Sequence, residues 1–399
     1  MRGGLTLFGA ALSDSISISH LGAADKVRLQ KNVEKTIKAI NTYVVGLKAI
    51  VADRNYVFRS FRIGKDLYAT KFKFDLTTNF TPVEIYEKAL TDKKMYQQKM
   101  TILANGLWQK YYGSRPKPAE DKQLMKLVLD KVEVQHAAPS VFFDSLTNQV
   151  YKLKKFILEK KLFDLDTAAT PIIVRLMPEY ARGRVAASAE FVPPYQKQGA
   201  TYFNIDDLTR YSPEKADGLL RELNNYGSQI LSIHEAVPGH CVQGIYNKKN
   251  SPDVVRSVFQ NGAMIEGWAV YAEDMMLENG WGGGAPELEL AFYKWKLKVL
   301  SNVLIDYEIQ CLNASKESIV NFLTKECFQS NAQAEEKYRR ATVSQVQLCS
   351  YYTGASAIHI LRDDYKRKLG NRYNLKDFHE MFLSFGSSPV KYIRERMMQ

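Results

Sequence analysis

Apolar residues recur every three to four positions over most of the segment from Asp25 to Leu162, and this spacing restricts the fold more than any other feature of the chain. Runs such as "NVEKTIKAINTYVVGLKAIV" and "PAEDKQLMKLVLDKVEV" place apolar side chains at i, i+3, i+4 and i+7, which is one face of an α-helix. Thr81-Pro82 is typical of a helix start, and Gly113 is typical of a helix end. The sequence therefore predicts an N-terminal helical region, which we assign to residues 1–162.

The positive charge of the chain is concentrated in this helical region. Residues 1–161 hold 28 Lys and Arg against 15 Asp and Glu, and the whole chain has a formal charge of +12. The lysines of "KVRLQKNVEKTIKAI" lie between apolar residues at helical spacing, which is typical of a solvated helix face. We therefore predict no nucleic-acid partner.

Membrane and disulfide signals are weak. No apolar run approaches the roughly 20 residues that cross a bilayer, so no transmembrane segment is expected. The cysteines at 241, 311, 327 and 349 include no C-x-x-C pair, which favours reduced packing residues over a disulfide or zinc framework. The first twenty residues resemble a secretion signal only weakly. An exported, periplasmic location and a cytoplasmic one both stay open, as does the oligomeric state.

The pattern changes over residues 170–206. The runs "TPIIVRLMP", "VAASAEFVPP" and "ATYFNID" are short, β-branched or aromatic, and broken by Pro and Gly, so they predict a small sheet. Helical spacing returns at Ser212-Pro213, which opens a helical stretch to His240, and further helices are expected over residues 253–278 and over residues 332–369. We assign residues 163–399 to a second region that continues the same fold.

The segment "HEAVPGH" lies at the end of the first of these helices. In the zinc-protease pattern H-E-x-x-H, two histidines one turn apart face one metal. Here His240 comes six residues after His234, which on a regular helix turns it away by about 240°. Pro238 cannot donate to the carbonyl of His234, so the helix must bulge or break, and Gly239 can adopt the distorted backbone. The two inserted residues are thus expected to return His240 to the face of His234.

A third ligand is available in "IEGWAVYAE". Glu266 follows His240 by 26 residues, enough for a second helix to pack beside the first, and its helix is otherwise apolar. Two histidines and this carboxylate, with one position left open, form the ligand set of a catalytic zinc, and Glu235 is then the general base. In the alternative interpretation, His240 interacts with a helix dipole and Glu266 is the buried partner of an arginine.

These segments, with "EEKYRRATVSQVQLCSYYTG", resemble the bacterial family of unknown function 885, placed among the zincin-like metallopeptidases. The similarity runs from about Ile63 almost to the end. The resemblance implies a mainly α, gluzincin-type fold with a small sheet beside the active-site helix. It also implies that His234, His240 and Glu266 bind zinc and that Glu235 is the catalytic base.

The chain departs from the family pattern at two places. Gln310 stands where the family has a histidine, and "VSQVQLCSY" keeps Gln347 and Tyr351 but lacks a Pro and a Gly. We predict Tyr351 as the donor to a developing oxyanion, and Arg340 and Gln347 as substrate-binding residues. The alternatives are a core tyrosine and a surface salt bridge.

The function expected from these residues is zinc-dependent hydrolysis of peptide bonds in peptides or oligopeptides. Two alternatives share the same motifs. One is a non-catalytic, peptide-binding or structural protein that keeps the fold, which the two departures favour. The other is a metal-dependent hydrolase that cleaves an amide other than a peptide.

Overall fold

The computed structural model describes residues 2–165, 171–183, 185–192, 199–250 and 258–399. These residues are mainly helical, as predicted, and no helix among them is long and apolar enough to cross a membrane. The helices are α1 (Arg2–Ile18), α2 (Ala23–Ala52), α3 (Gly64–Leu76), α4 (Pro82–Tyr112), α5 (Asp121–Glu133), α6 (Phe142–Glu159), α7 (Pro213–Glu222), α8 (Gly227–Glu235), α9 (His240–Asn250), α10 (Gly262–Glu278), α11 (Pro286–Cys311), α12 (Lys316–Lys325), α13 (Asn331–Val343), α14 (Ser350–Leu369), α15 (Leu375–Ser384) and α16 (Val390–Met397).

A three-stranded sheet confirms the prediction made for residues 170–206. Its strands are β1 (Ile172–Leu176), β2 (Ala187–Glu190) and β3 (Thr201–Ile205), in the order β1-β3-β2. β2 and β3 are antiparallel, and their register pairs Ala187 with Ile205. β2 is therefore an edge strand of this sheet. Parts of the predicted strand runs, at residues 170 and 193–194, lie outside the described residues.

Contacts divide the chain into two units that differ from the regions assigned from sequence. One unit comprises residues 1–60 and 176–186, and the other comprises residues 61–175 and 187–399. The division between residues 162 and 163 stays a prediction. In the smaller unit, α1 packs along α2, and the rings of Phe8 and Tyr180 lie 5.8 Å apart.

The larger unit has its main core around α4 and α11. α4 begins with a capping box in which the Thr81 hydroxyl accepts from the Glu84 N–H and the Glu84 carboxylate accepts from the Thr81 N–H, which confirms the predicted start. α3, α4, α5 and α11 bury a continuous apolar cluster that includes Tyr68, Trp108 and Leu300. All four cysteines are free thiols, as expected.

Two glycines let α10 and α14 cross in contact. A Cβ on Gly267 would lie 2.4 Å from the carbonyl carbon of Gly354, and a Cβ on Gly354 would lie 1.8 Å from the carbonyl oxygen of Ala263. Backbones approach this closely only where both residues lack side chains. The crossing fixes the N-terminal half of α10 against the first turn of α14.

The helical stretch predicted from Ser212 consists of two helices, and the helix predicted over 332–369 is broken, so that second prediction was wrong. The segment from Ser212 divides into α7 and α8 because the Asn224 side chain accepts from the N–H groups of Tyr226 and Gly227, which ends one helix and starts the next. The segment over 332–369 divides into α13 and α14 at Val346, which has a φ of 72°. The expected helix over 253–278 begins at Gly262, and residues 253–257 lie outside the described residues.

Candidate metal centre

The PG insertion breaks the histidine helix, as the sequence predicts. α8 ends at Glu235, α9 starts at His240, and the Val237–Pro238 peptide bond between them is cis. The Gly239 N–H donates to the carbonyl of Ile233 at 2.9 Å, which folds the turn back onto α8. A Cβ on Gly239 would lie 1.8 Å from the carbonyl oxygen of His234, so only glycine fits this turn.

The turn brings His240 back beside His234. Their ring centroids lie 4.9 Å apart with the rings nearly perpendicular. Nε2 of His234 and Nε2 of His240 lie 3.7 Å and 3.5 Å from the same oxygen, Oε2 of Glu266. One ligand atom from each of the three residues lies within 4.8 Å of the others. The three side chains predicted as ligands therefore converge on one point.

Glu273 holds the far side of the His234 ring. Its Oε1 lies 2.6 Å from Nδ1 of His234 and accepts from the indole N–H of Trp295 at 3.1 Å. With Nδ1 facing this carboxylate, Nε2 is directed toward Glu266. His240 has a weaker counterpart, because Oε1 of Gln243 lies 3.5 Å from its Nδ1. A carboxylate behind a histidine is the usual means of orienting a metal-binding imidazole.

The electrostatics of the cluster favour paired charges. Burial lowers the pKa of His234, but the carboxylates of Glu266 and Glu273 outweigh it and raise that pKa to about 10. Burial raises the pKa of Glu266, but hydrogen bonds from the two histidines hold it well below its usual range. A positive charge at this point, on His234 or on a bound cation, is thus stabilised by the nearby carboxylates.

Glu235 lies beside the three candidate ligands and faces the sheet. It is half-buried, and burial raises its pKa, although the two histidines oppose the rise. The backbone N–H of Ala189, in β2, also opposes the rise in pKa, so the carboxylate lies close to that strand. A carboxyl group with a raised pKa, next to a cluster of metal-binding side chains, is suited to accept and return a proton.

The three other predicted site residues contact one another. Nη2 of Arg340 donates to Oε1 of Gln347 at 2.8 Å and to the hydroxyl of Tyr351 at 3.2 Å. Burial raises the pKa of Tyr351, and the nearby negative charge of Glu266 adds to the rise. Tyr351 is half-buried and Arg340 is exposed, so this group lies between the candidate metal centre and solvent.

A buried acid supports the turn that carries Gln347 and Tyr351. Oδ2 of Asp306 accepts from the Val346 N–H at 2.8 Å and from the Tyr68 hydroxyl at 2.6 Å. Gln310, one turn further along α11, donates to the carbonyl of Ala341 at 2.9 Å and accepts from the Ile63 N–H. The residue that departs from the family pattern therefore has a structural role, joining α13 to the segment before α3.

Sequence reasoning missed Glu273, Trp295 and Gln243. Glu273 carried a usable signal, because it follows Glu266 by seven residues, two helical turns, and therefore shares its face. Trp295 and Gln243 carried no comparable signal. Trp268, quoted within the second motif, donates to the carbonyl of Pro238 at 3.0 Å and so fastens α10 to the PG turn.

These features define a mainly helical protein with a His-His-Glu cluster beside the edge strand of a small sheet. The chain belongs to the family described as bacterial protein of unknown function (DUF885), whose model matches residues 6–397. No curated protein matches it.

Two solved structures share the fold. A candidate lipoprotein of unknown function from Shewanella oneidensis is 40% identical with a TM-score of 0.81, over 99% of this chain and 72% of that one. A candidate lipoprotein from Colwellia psychrerythraea is 16% identical with a TM-score of 0.79, over 98% of this chain and 66% of that one. The latter supports the fold alone.

Proposed function

We propose that this protein is a zinc-dependent metallopeptidase with a zincin-like active site. The observation that carries the proposal is the convergence of His234, His240 and Glu266 on one point, with Glu235 beside them. Three protein ligands with a fourth position open to solvent are the usual set for a catalytic zinc, whereas structural zinc is enclosed by four.

The residues present fit a zinc ion. Imidazole nitrogens and a carboxylate oxygen are its ordinary ligands, and a small contraction of the three side chains would bring them to bond lengths of about 2.0–2.2 Å. Glu273 supports the same interpretation, because it fixes the Nδ1 side of His234 and leaves Nε2 for the ion. A bound zinc ion would supply Lewis-acid activation of water and polarisation of the scissile carbonyl.

The protein groups around the ligands have separate roles. Glu235 accepts the proton of the attacking water and returns it to the leaving amine, for which its raised pKa suits it. The Tyr351 hydroxyl donates to the oxygen that becomes negative in the tetrahedral intermediate. Arg340 positions that hydroxyl, to which it donates at 3.2 Å, and binds a carboxylate of the substrate.

The edge of β2 favours a peptide over another amide. Ala189 directs its N–H toward Glu235, so this edge of the strand faces the candidate metal centre. Because alternate residues of a strand direct their backbone groups to the same side, Ala187 offers an N–H and a carbonyl there too. An extended peptide can pair with such an edge as an added strand.

Two alternatives remain in view. A non-catalytic protein of this fold would keep the peptide-binding edge without turnover, and Gln310 together with the altered segment before Tyr351 is the sequence feature in its favour. A hydrolase of a non-peptide amide would use the same four residues. The name of the 40% identical relative, a candidate lipoprotein, favours export among the possible locations.

Metal analysis separates the enzyme from the non-catalytic alternative. The protein, purified without added metal or chelator, should contain about one equivalent of zinc by inductively coupled plasma mass spectrometry. His240→Ala should lose most of it, because two remaining ligands hold zinc poorly. Less than about 0.2 equivalents of any transition metal in the wild type would contradict the proposal.

A second pair of measurements separates binding the metal from using it. Glu235→Gln should keep its zinc and lose about 10²-fold or more in kcat on a mixed peptide library read by mass spectrometry. The matched control is Glu190→Gln, which removes a carboxylate from β2 that pairs with Arg175. Full activity in Glu235→Gln would exclude it as the base.

A further inference from the structure

A second pocket, separate from the candidate metal centre, lies on the larger unit. It has a volume of about 420 Å³ and is bounded by the end of α3, the start of α4, and α10, α14 and α16. His234, Glu235, His240 and Glu266 do not line it. Its floor includes Gly354, where α14 crosses α10. Clefts of about 300–1,000 Å³ are the usual size for small-molecule sites.

Two buried polar atoms at this pocket lack hydrogen-bond partners among the described residues. Thr353 is fully buried, and its hydroxyl has no partner. Arg394 pairs through Nη2 with Asp364 at 2.5 Å, while its buried Nη1 has none. Native proteins rarely leave buried polar groups unsatisfied, because each costs about 1–3 kcal/mol. Both residues line the pocket.

The charged residues that line the pocket indicate the charge of the group that binds there. Lys391 and Arg394 contribute two cations to the lining, and Glu84 is its one carboxylate. Oε2 of Glu84 accepts from the N–H and the hydroxyl of Thr81, which holds this carboxylate at the cap of α4. The lining thus carries one more cation than carboxylate, although Arg394 is paired with Asp364 through Nη2. Its unpartnered groups, Nη1 of Arg394 and the Thr353 hydroxyl, can both donate, which favours an anion.

The remaining wall is apolar. Leu76, Phe80, Ile360 and Val390 line it together with Ala263 and Ala357. Such a surface binds a hydrocarbon chain, at about 25 cal/mol for each Å² removed from water. The polar and apolar parts of the pocket together match an amphipathic molecule with a single anionic end.

We propose that this pocket binds a small apolar carboxylate, such as a medium-chain fatty acid, whose carboxylate accepts from Nη1 of Arg394 and from the Thr353 hydroxyl while its chain lies against Leu76, Phe80 and Ile360. The site is independent of the proposed peptidase activity. Two of its lining residues are nevertheless close to the candidate metal centre in sequence: Ala263 precedes Glu266 by three residues on α10, and Thr353 follows Tyr351 by two on α14.

Isothermal titration calorimetry with octanoate, 1-octanol and octylamine tests the proposal on the purified protein. Octanoate should bind at least tenfold more tightly than the other two, because only it offers an anion to Arg394. Arg394→Met and Thr353→Val should each weaken octanoate binding about tenfold or more. Arg367→Met is the matched control, since Arg367 pairs with the same Asp364 but does not line the pocket.

The other outcomes overturn the proposal. Equal affinity for the three probes would show an apolar groove without recognition of charge, and undiminished octanoate binding to both variants would place the ligand elsewhere. Thr353→Val decides the matter if Arg394→Met fails to fold. Valine has the shape of threonine and removes an unpartnered hydroxyl, so this variant should melt at or above the wild-type Tm.

Discussion

Oε1 of Glu273 lies 2.6 Å from Nδ1 of His234, on the side of the ring opposite Glu266. The imidazole is thus held between two carboxylates that lie two turns apart on α10. Glu273 is fully buried, and Trp295 donates to the same oxygen. Such an arrangement fixes which nitrogen faces the ligand cluster before any ion arrives, and it raises the basicity of that nitrogen.

Replacing this carboxylate should weaken metal binding without removing a ligand. Glu273→Gln keeps an oxygen that can accept from Nδ1–H but loses the charge, so we expect the Kd for zinc to rise about 10- to 100-fold. Competition with a fluorescent chelator measures it. Glu278→Gln, on the same helix and paired with Arg362, is the control and should leave the Kd unchanged. An unchanged Kd in Glu273→Gln would show that the orienting contact has no effect on binding.

Gly239 should tolerate no side chain. A Cβ there would lie 1.8 Å from the carbonyl oxygen of His234, so Gly239→Ala must displace the turn that aims His240. We expect a loss of folding free energy of several kcal/mol, together with loss of bound metal. In Gly218→Ala, within α7, nothing lies within 4 Å of the new Cβ, and helix propensity predicts a gain of about 0.5–1 kcal/mol. Urea unfolding compares the two, and similar stabilities would refute the steric argument.

The local features of the fold were predictable because their signals are local. The apolar spacing located α5, Thr81-Pro82 marked the start of α4, and the β-branched runs between residues 170 and 206 became strands. The helix break at Pro238 followed from the missing N–H of proline. Each of these depends on residues that are neighbours in sequence.

The features that sequence reasoning missed depend on distant contacts. Asn224 breaks a helical pattern by bonding two backbone N–H groups, and nothing in its neighbours distinguishes it from a solvated asparagine. Val346 adopts a positive φ because Asp306, on another helix, accepts from its N–H. Trp295 reaches Glu273 from α11, and this pairing depends on how two helices pack. Tertiary contacts therefore decided these positions.

Tyr351 should contribute to turnover and not to metal binding. If its hydroxyl stabilises the oxyanion, Tyr351→Phe lowers kcat about 10²- to 10³-fold and leaves KM and zinc content near wild type. Tyr352→Phe is the matched control, because the next tyrosine directs its hydroxyl to Asp92 at 2.5 Å, away from Arg340. Peptide-cleavage kinetics with metal analysis on the same samples give both readouts. A wild-type kcat in Tyr351→Phe would leave this residue as a packing group.

The last prediction concerns Asp306, which supports the turn before Tyr351. Burial raises the pKa of Asp306 from 3.8 to about 6, although hydrogen bonds from Tyr68 and Val346 oppose the rise. Below about pH 3 the carboxyl is protonated in both the folded and the unfolded chain. As the pH rises, the unfolded chain loses this proton first, so the folded state binds more protons. The free energy of unfolding must then decrease with pH.

We expect this decrease to reach about 3 kcal/mol between pH 3 and pH 7. Urea unfolding of the wild type and of Asp306→Asn across this range isolates the contribution of this carboxyl, since the variant lacks the titrating group. The free energy of unfolding of the wild type minus that of the variant should decrease as the pH rises and then level off. Glu84→Gln gives a control of opposite sign. The backbone and hydroxyl of Thr81 lower the pKa of Glu84, so its contribution is present above about pH 4.5 and is lost as the pH falls. If the difference in unfolding free energy between the wild type and Asp306→Asn stays flat or grows with pH, the Asp306 carboxyl is ionised in the folded protein throughout this range.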